Sequence, residues 1–190
     1  SIVDRMYIGN ISVVGDVALA GVGVCGPVVT MVGSVAFLIG VGGAPLMSIK
    51  LGEKDEAGAR RIMANCFLML CVSSVALMAA IYPLARPMLL LFGASEATLP
   101  YAMAYFTTYL LGTPFALMAT GLNQLIVCQG FARAGMKSIL LGAVLNIVLD
   151  PVFIFALDMG VRGGALATVL SQMASCAYAV WFLLFSRRAP

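Results

Sequence analysis

The stretch VALAGVGVCGPVVTMVGSVAFLIGVGGAPLMSI, residues Val17–Ile49, decides the fold because it contains no charged residue. Asp16 stands directly before it and Lys50 directly after it. A helix that crosses the hydrocarbon core of a bilayer needs about 20 predominantly apolar residues. This run exceeds that length, so it predicts a transmembrane helix.

The same pattern continues along the chain. Further charge-free runs cover Ile62–Ala85, Ala97–Ala132 and Gly163–Ser186, and the apolar run Ser138–Leu157 carries one charged residue, Asp150. The opening residues look like the tail of a helix whose start is missing, so we expect a fragment of a longer protein. The sequence therefore predicts a single all-α, polytopic transmembrane bundle over residues 1–190, with one partial and five complete helices near 1–14, 17–49, 62–85, 99–128, 138–157 and 163–186.

The composition supports this interpretation. Apolar residues make up 62% of the chain and charged residues 10%, whereas a soluble domain has roughly 25% charged residues. The mean hydropathy is +1.06, and a lipid-facing surface accounts for the excess. The absence of histidine excludes a histidine-based metal site, a catalytic triad and an imidazole pH switch. The five cysteines lie in apolar stretches without paired spacing, so we interpret them as small hydrophobic residues.

The connectors differ in positive charge. The segment Lys50–Arg61 holds four basic residues, and further ones lie in the Gln129–Lys137 turn and at Arg187 and Arg188. The opposite set of connectors offers only Arg86 and Arg162. Because cytoplasmic loops are enriched in lysine and arginine, we expect Lys50–Arg61, the chain start and the C-terminal end on the cytoplasmic side.

Several residues inside the spans can break or tighten helices. Pro27 and Pro114 are expected to kink or tilt their spans, or only to pack, where neighbouring helices re-satisfy the backbone. The glycines of Gly40–Pro45 indicate close helix packing rather than a phosphate-binding loop, because no P-loop lysine and hydroxyl follow them.

Two aspartates lie within predicted spans, where a charged side chain is energetically unfavourable. Asp4 and Asp150 have apolar surroundings, and each would cost at least about 2.5 kcal/mol at the bilayer centre. Such a residue normally faces a cavity or a partner and marks a functional site. The alternative is a helix-end aspartate that reaches headgroups or a basic neighbour. For Asp150, the following Pro151 could also open the backbone and supply polar partners.

Helical rise places these acids near two other polar residues. Asp150 lies about 10 Å from the outer end of its helix, and Asn146 is one turn deeper on the same face. Thr168 lies about 8 Å and Asp4 about 16 Å from the same side of the membrane. Two carboxylates, an amide and a hydroxyl thus share the outer half of the membrane. Such oxygen ligands suit a hard cation such as Na⁺, and the acid pair could instead exchange protons; the residues alone leave both open.

Other polar residues are candidates for a cargo cavity. Asn123, Gln124 and Gln172 could line it, or could form interhelical hydrogen bonds. Tyr101, Tyr105 and Tyr109 share a helix face near the outer interface, where an aromatic belt is the alternative to a cargo-binding wall. The candidate cargo residues are therefore Tyr7, Tyr109, Asn123, Gln124 and Gln172.

Longer strings resemble one known family. They are NIVLDPVFIF (146–155) with GVRGGALATVLSQ (160–172), VDRMYIG (3–9), and DVALAGVG (16–23) through GVGGA (40–44) to LGEK (51–54). These strings resemble helices of the MATE family, the multidrug and toxic compound extrusion transporters: 146–155 and 160–172 resemble its fifth and sixth helices, 3–9 its first, and 16–54 its second helix and the following loop. The bacterial NorM-like and staphylococcal-efflux-pump-like branch is the most similar. The resemblance covers nearly the whole chain. Arg5, beside the first aspartate, has no clear counterpart in the pattern.

The resemblance implies a twelve-helix antiporter in two six-helix lobes, with this chain as the N-terminal lobe. It implies export of small amphipathic, often cationic drugs across the bacterial cytoplasmic membrane, driven by Na⁺ or H⁺ entry. The cation-binding residues it implies are Asp4, Asn146, Asp150 and Thr168. The implied partners are these cargo molecules, the lipid bilayer and the C-terminal lobe, without a nucleic acid or another cofactor.

Two other functions remain as alternatives. A flippase for lipid-linked oligosaccharides would need a broad basic cavity, yet Arg5 is the only basic residue that we place inside a span. A non-transporting membrane scaffold would make the buried carboxylates structural. An enzyme is disfavoured because the sequence contains no nucleophile–base pair or metal cluster, and we expect no catalytic residues.

Overall fold

The computed structural model describes residues 2–11 and 15–186. Within them the chain is helical, without a β-strand. The predicted first helix therefore falls partly outside the described residues, as do Arg187 and Arg188. The elements are α1 (Ile2–Gly9), α2 (Gly15–Gly52), α3 (Glu56–Leu91), α4 (Leu99–Leu111), α5 (Thr113–Cys128), α6 (Ala132–Pro151), a π-helical turn (Val152–Ala156) and α7 (Val161–Phe185).

Four helices of the described chain are long and apolar enough to cross a membrane. They are α2, α3, α6 together with its π turn, and α7. The α4–α5 pair forms a fifth, bent span. The prediction of an all-α transmembrane bundle is therefore confirmed.

The helices extend beyond the charge-free runs. Helix α2 continues to Gly52 and α3 begins at Glu56, so most of the charged Lys50–Arg61 segment is helical. Asp55 caps α3, because its Oδ1 accepts a hydrogen bond from the Gly58 N–H at 2.8 Å. This bond, together with Lys50, holds the pKa of the Asp55 carboxyl below its ordinary value. The helix bounds therefore follow capping rather than the limits of the charge-free run.

The span predicted as one helix over 99–128 is broken at Gly112. Helices α4 and α5 are bent by 57° there, and Pro114 supplies no N–H at the start of α5. A Cβ at Gly112 would collide with the side chain of Val169, so the break brings α4–α5 directly onto α7. Pro27, by contrast, lies within the continuous α2.

Small residues allow the helices to approach closely. A Cβ built on Gly40 would lie 3.0 Å from the Gln124 side chain, and one on Gly43 would collide with the Cys66 sulfur. Both glycines are buried. The segment Gly40–Pro45 therefore packs α2 against α3 and α5, in agreement with the packing interpretation.

The corner between α6 and α7 sets the relative position of their polar residues. After Pro151 the helix widens, and the Leu157 N–H bonds the Val152 carbonyl at 2.9 Å in the i→i+5 pattern of a π turn. Gly160, at φ +56°, then reverses the chain. Gly163 lies so close to this turn that its Cβ would be 2.6 Å from the Phe153 carbonyl oxygen. Because this neighbour is backbone, only glycine allows α7 to start here.

We predict that Gly163→Ala destabilises the protein by about 1–3 kcal/mol, because the methyl group must push α7 away from the π turn. Gly33→Ala is the matched control, since a Cβ there meets nothing within 4 Å and alanine favours the helix. Thermal unfolding of the two purified variants in one detergent measures the difference. Equal midpoints would contradict the close contact.

Candidate cation site and adjoining cavity

Helix α1 carries an aspartate into the interior of the bundle. Asp4 and Ile8 are both 0% exposed, whereas Ile2 and Met6 on the other side of α1 are 80% and 66% exposed. The helix packs against α2, α6 and α7. The spacing of Asp4 and Ile8 by four residues puts them on one face, which is the face turned inward.

Asp4 is bound by hydroxyl groups from two other helices. The Thr168 hydroxyl of α7 donates to Asp4 Oδ2 at 2.7 Å, and the Tyr105 hydroxyl of α4 donates to the same oxygen at 3.2 Å. Thr168 and Tyr105 are 8% and 4% exposed. Helices distant in sequence thus meet at one carboxylate oxygen.

Asn146 extends this network to the second acid. Its Nδ2 donates to Asp150 Oδ1 and to Thr168 Oγ1, each at 3.3 Å. Asp150 is fully buried, and no lysine or arginine of residues 2–11 and 15–186 forms an ion pair with it. We call this set the acid network: Asp4, Tyr105, Asn146, Asp150 and Thr168.

The two carboxyl groups of the acid network are linked through Asn146 and Thr168. Asp150 Oδ2 receives no N–H or O–H from the described part of the chain. Two carboxylates in one buried, low-dielectric network repel each other unless a proton or a cation neutralises them. The arrangement can therefore hold a proton or a small hard cation.

The donor set argues against a transition-metal cluster. In the described residues, no group of three or more His, Cys, Asp or Glu side chains could hold a metal ion. Carboxylate, amide and hydroxyl oxygens are the ligands of hard cations. Na⁺ would be held by Asp4, Asp150, Asn146 and Thr168, and the hydroxyl of Tyr105 would remain a hydrogen-bond donor to Asp4.

The structure brings together all four residues that the sequence analysis assigned to cation binding. It also adds Tyr105, which the sequence analysis placed with Tyr101 and Tyr109 as an aromatic belt or cargo wall. The belt interpretation is wrong for Tyr105, because its side chain is buried and bonded to Asp4. The sequence held no signal that separates the two roles, because a belt tyrosine and a buried donor share the same depth.

A polar cavity of about 560 Å³ adjoins the acid network. Asn146 and Thr168 belong to both. On α6 the lining runs from Asn146 to Ser138, which is about 12 Å toward the end of the helix that begins at Ala132. The polar lining residues are Thr120, Asn123, Gln124, Ser138, Asn146, Thr168, Ser171, Gln172 and Ser175.

Three of the five predicted cargo residues line this polar cavity: Asn123, Gln124 and Gln172. The other two do not. Tyr7 packs edge-on against Phe155, with ring centroids 6.1 Å apart, and Tyr109 stacks on Tyr105 at 6.2 Å. Both rings are engaged in aromatic contacts, which the depth of a residue in its span does not reveal.

Comparisons with known proteins agree with this architecture. A family model described as MatE matches residues 1–152. The FAD transporter of Shewanella oneidensis is 25% identical over 194 residues, which cover 99% of this chain and 42% of that protein. The multidrug export protein MepA of Staphylococcus aureus is 28% identical over 160 residues, which cover 84% of this chain and 35% of that protein. The chain therefore spans less than half the length of these relatives.

The fold is also similar to solved structures. A crystal structure of MATE in the bent conformation matches with a TM-score of 0.92 and 26% identity, over 98% of this chain and 41% of that one. This likeness covers all the elements that carry the acid network and the polar cavity.

We predict that Thr168→Val destabilises the protein by about 1–3 kcal/mol, since the buried Asp4 Oδ2 loses its 2.7 Å donor and the buried Asn146 amide loses one of its two acceptors. Thr168→Ser keeps the hydroxyl and should unfold close to the wild type. Thermal unfolding in detergent compares the three proteins. A valine variant as stable as the wild type would contradict the contribution of these hydrogen bonds, because valine replaces only the hydroxyl.

Proposed function

This chain belongs to the MatE family, and from that premise we propose that it is part of a transporter that exports amphipathic, often cationic drug-like molecules in exchange for Na⁺ or H⁺. The protein is an integral membrane protein by its apolar helices. We place it in the bacterial cytoplasmic membrane, with the Lys50–Arg61 segment on the cytoplasmic side. A second lobe of the complete protein would close the transport pathway.

The observation that carries this proposal is the buried pair of carboxyl groups, Asp4 and Asp150, in the acid network. Family members are transporters rather than enzymes, so the pair needs a role in binding. Ionisable groups inside a membrane protein commonly mark ion pathways and proton relays. A proton or Na⁺ that neutralises the pair would draw α1 toward α6 and α7, because Asp4 lies on α1, the other acid, Asp150, on α6, and the Thr168 hydroxyl that donates to Asp4 on α7.

The polar cavity supports an exchange mechanism. Asn146 and Thr168 line it and also contact the acids, so cargo in the cavity would compete for groups that hold the cation. Asn123 also lines the cavity, and its side-chain amide can form hydrogen bonds with cargo. Because coupling between two ligands is reciprocal, cation entry would weaken cargo binding and cargo would weaken cation binding.

The names of the relatives state different cargos, a drug in one case and FAD in the other. We follow the multidrug relatives, since the polar cavity combines neutral amide and hydroxyl groups with apolar walls such as Phe37 and Ile139. Such a lining suits varied amphipathic molecules. A rocking motion of the two lobes around this site would alternate its access between the two sides of the membrane.

Asp150→Asn tests the coupling site in the full-length protein. We expect export of ethidium from proteoliposomes, driven by a Na⁺ or pH gradient, to fall at least about tenfold, because an amide can neither release a proton nor charge-pair with Na⁺. Parallel Na⁺ and pH gradients identify the coupling ion. Asp158→Asn is the control, since Asp158 is exposed and asparagine tolerates its positive φ. Unchanged export by Asp150→Asn would remove this residue from the mechanism.

Gln172→Leu tests the polar cavity separately. Gln172 lines the cavity and makes no hydrogen bond to the acid network, so we expect a changed KM for ethidium with the same dependence on the driving ion. The measurement is export rate against ethidium concentration at two fixed cation gradients. A shift in ion dependence without a shift in KM would place Gln172 with the cation instead.

A further inference from the structure

We propose that Arg5 binds an anionic group of the transported molecule, in a groove between α1 and α2 that is separate from the acid network and the polar cavity. This inference rests on the proposed function, and it adds amphipathic anions to the expected cargo. The groove has a volume of about 490 Å³. We call it the Arg5 groove; its lining is Ile2, Arg5, Met6, Gly9, Asn10 and Leu19.

Helix α1 has two chemically opposite faces. Successive helical residues are about 100° apart, so Asp4 and Arg5 cannot point into the same environment. Asp4 is fully buried, whereas Arg5 is exposed, as are Ile2 and Met6 beside it. The carboxylate of Asp4 therefore lies in the interior of the bundle, whereas the guanidinium of Arg5 lies at the Arg5 groove.

The guanidinium lies against a glycine of α2. Its Nη2 is 3.2 Å from the position that a Cβ on Gly26 would occupy. Within residues 2–11 and 15–186, Arg5 takes part in neither a hydrogen bond nor an ion pair. Its five N–H donors are thus available to an anion, and the small Gly26 leaves room beside them.

The position of Arg5 along the bundle limits its partners. Gly26 lies eleven residues after Gly15, about 16 Å from the outer end of α2, so the guanidinium lies alongside the span rather than beyond its end. An arginine that faced lipid there would be costly, and more so toward the bilayer centre. A water-accessible cleft with a transported anion satisfies both its position and its charge.

The lining of the Arg5 groove defines the class of occupant. Ile2, Met6 and Leu19 form an apolar wall, and Arg5 and Asn10 are its polar members. Arginine forms paired hydrogen bonds with carboxylate and phosphate groups. The matching molecule is therefore amphipathic, with an apolar body and a carboxylate, sulfonate or phosphate group at one end.

The position of Arg5 also connects this groove with the cation site. Asp4 and Arg5 are neighbours on one eight-residue helix, so a cation that repositions α1 through Asp4 also moves the guanidinium along Gly26. Cargo in the Arg5 groove would then respond to cation binding without sharing a ligand with it. Two ligands that bias the same helix are coupled in this way.

The test uses the full-length protein in proteoliposomes with two dyes, the anionic carboxyfluorescein and the cationic ethidium. The readout is the ratio of kcat/KM for carboxyfluorescein to kcat/KM for ethidium, which does not depend on how much protein is folded. We expect Arg5→Gln to lower this ratio at least about tenfold, as for a lost charge-assisted hydrogen bond. Arg5→Lys should be intermediate, and Arg86→Gln, at an exposed arginine of α3, is the control.

The remaining outcomes would overturn either this inference or the proposed function. Proportional losses for both dyes in Arg5→Gln would mean that Arg5 pairs with a fixed carboxylate elsewhere in the complete protein, and would overturn the inference. A wild type that exports ethidium but neither binds nor exports carboxyfluorescein would overturn it as well, while the proposed function would stand. A wild type without cation-driven export of either dye would overturn the proposed function itself.

Discussion

The hydrogen bond between the Thr168 hydroxyl and Asp4, at 2.7 Å, joins the first and last helices of the bundle. Within the described chain, α1 packs against α2, α6 and α7, and this hydrogen bond fixes its inward face on α7. Asp4 in turn can be buried because Thr168 and Tyr105 both donate to it. The same hydrogen bonds therefore compensate for the burial of Asp4 and hold α1 against the bundle.

The backbone around this contact is irregular for a physical reason. Pro151 has no N–H to continue the helical ladder, and the following π turn widens the chain just after Asp150. Gly163 lets α7 start against that turn, which brings Thr168 level with Asn146. A regular helix with a bulkier corner would separate the hydroxyl of α7 from the amide of α6.

The sequence predicts features that depend on hydrophobicity, such as the spans, but not features that depend on packing between helices. The spans follow from charge-free runs, and helical rise alone places Asp4, Asn146, Asp150 and Thr168 in the same half of the membrane. It does not show that Pro114 accompanies a bend whereas Pro27 lies in a continuous helix, because the difference comes from the contact of Gly112 with Val169. Depth also leaves the direction of Tyr105 undetermined, since an aromatic belt and a buried donor share the same position along the helix axis.

The adjacent, opposite charges of Asp4 and Arg5 allow one membrane helix to contribute to two separate polar sites. On a soluble helix, Asp4 and Arg5 would both be hydrated and their order would matter little. In a bilayer each charge needs its own polar environment, and the 100° between them assigns the carboxylate to the bundle interior and the guanidinium to the α2 side. A small rotation or bend of α1 would disturb both environments together. The cost of moving either charge into lipid then limits α1 to a few arrangements, and a helix restricted in this way can transmit a binding event from one face to the other.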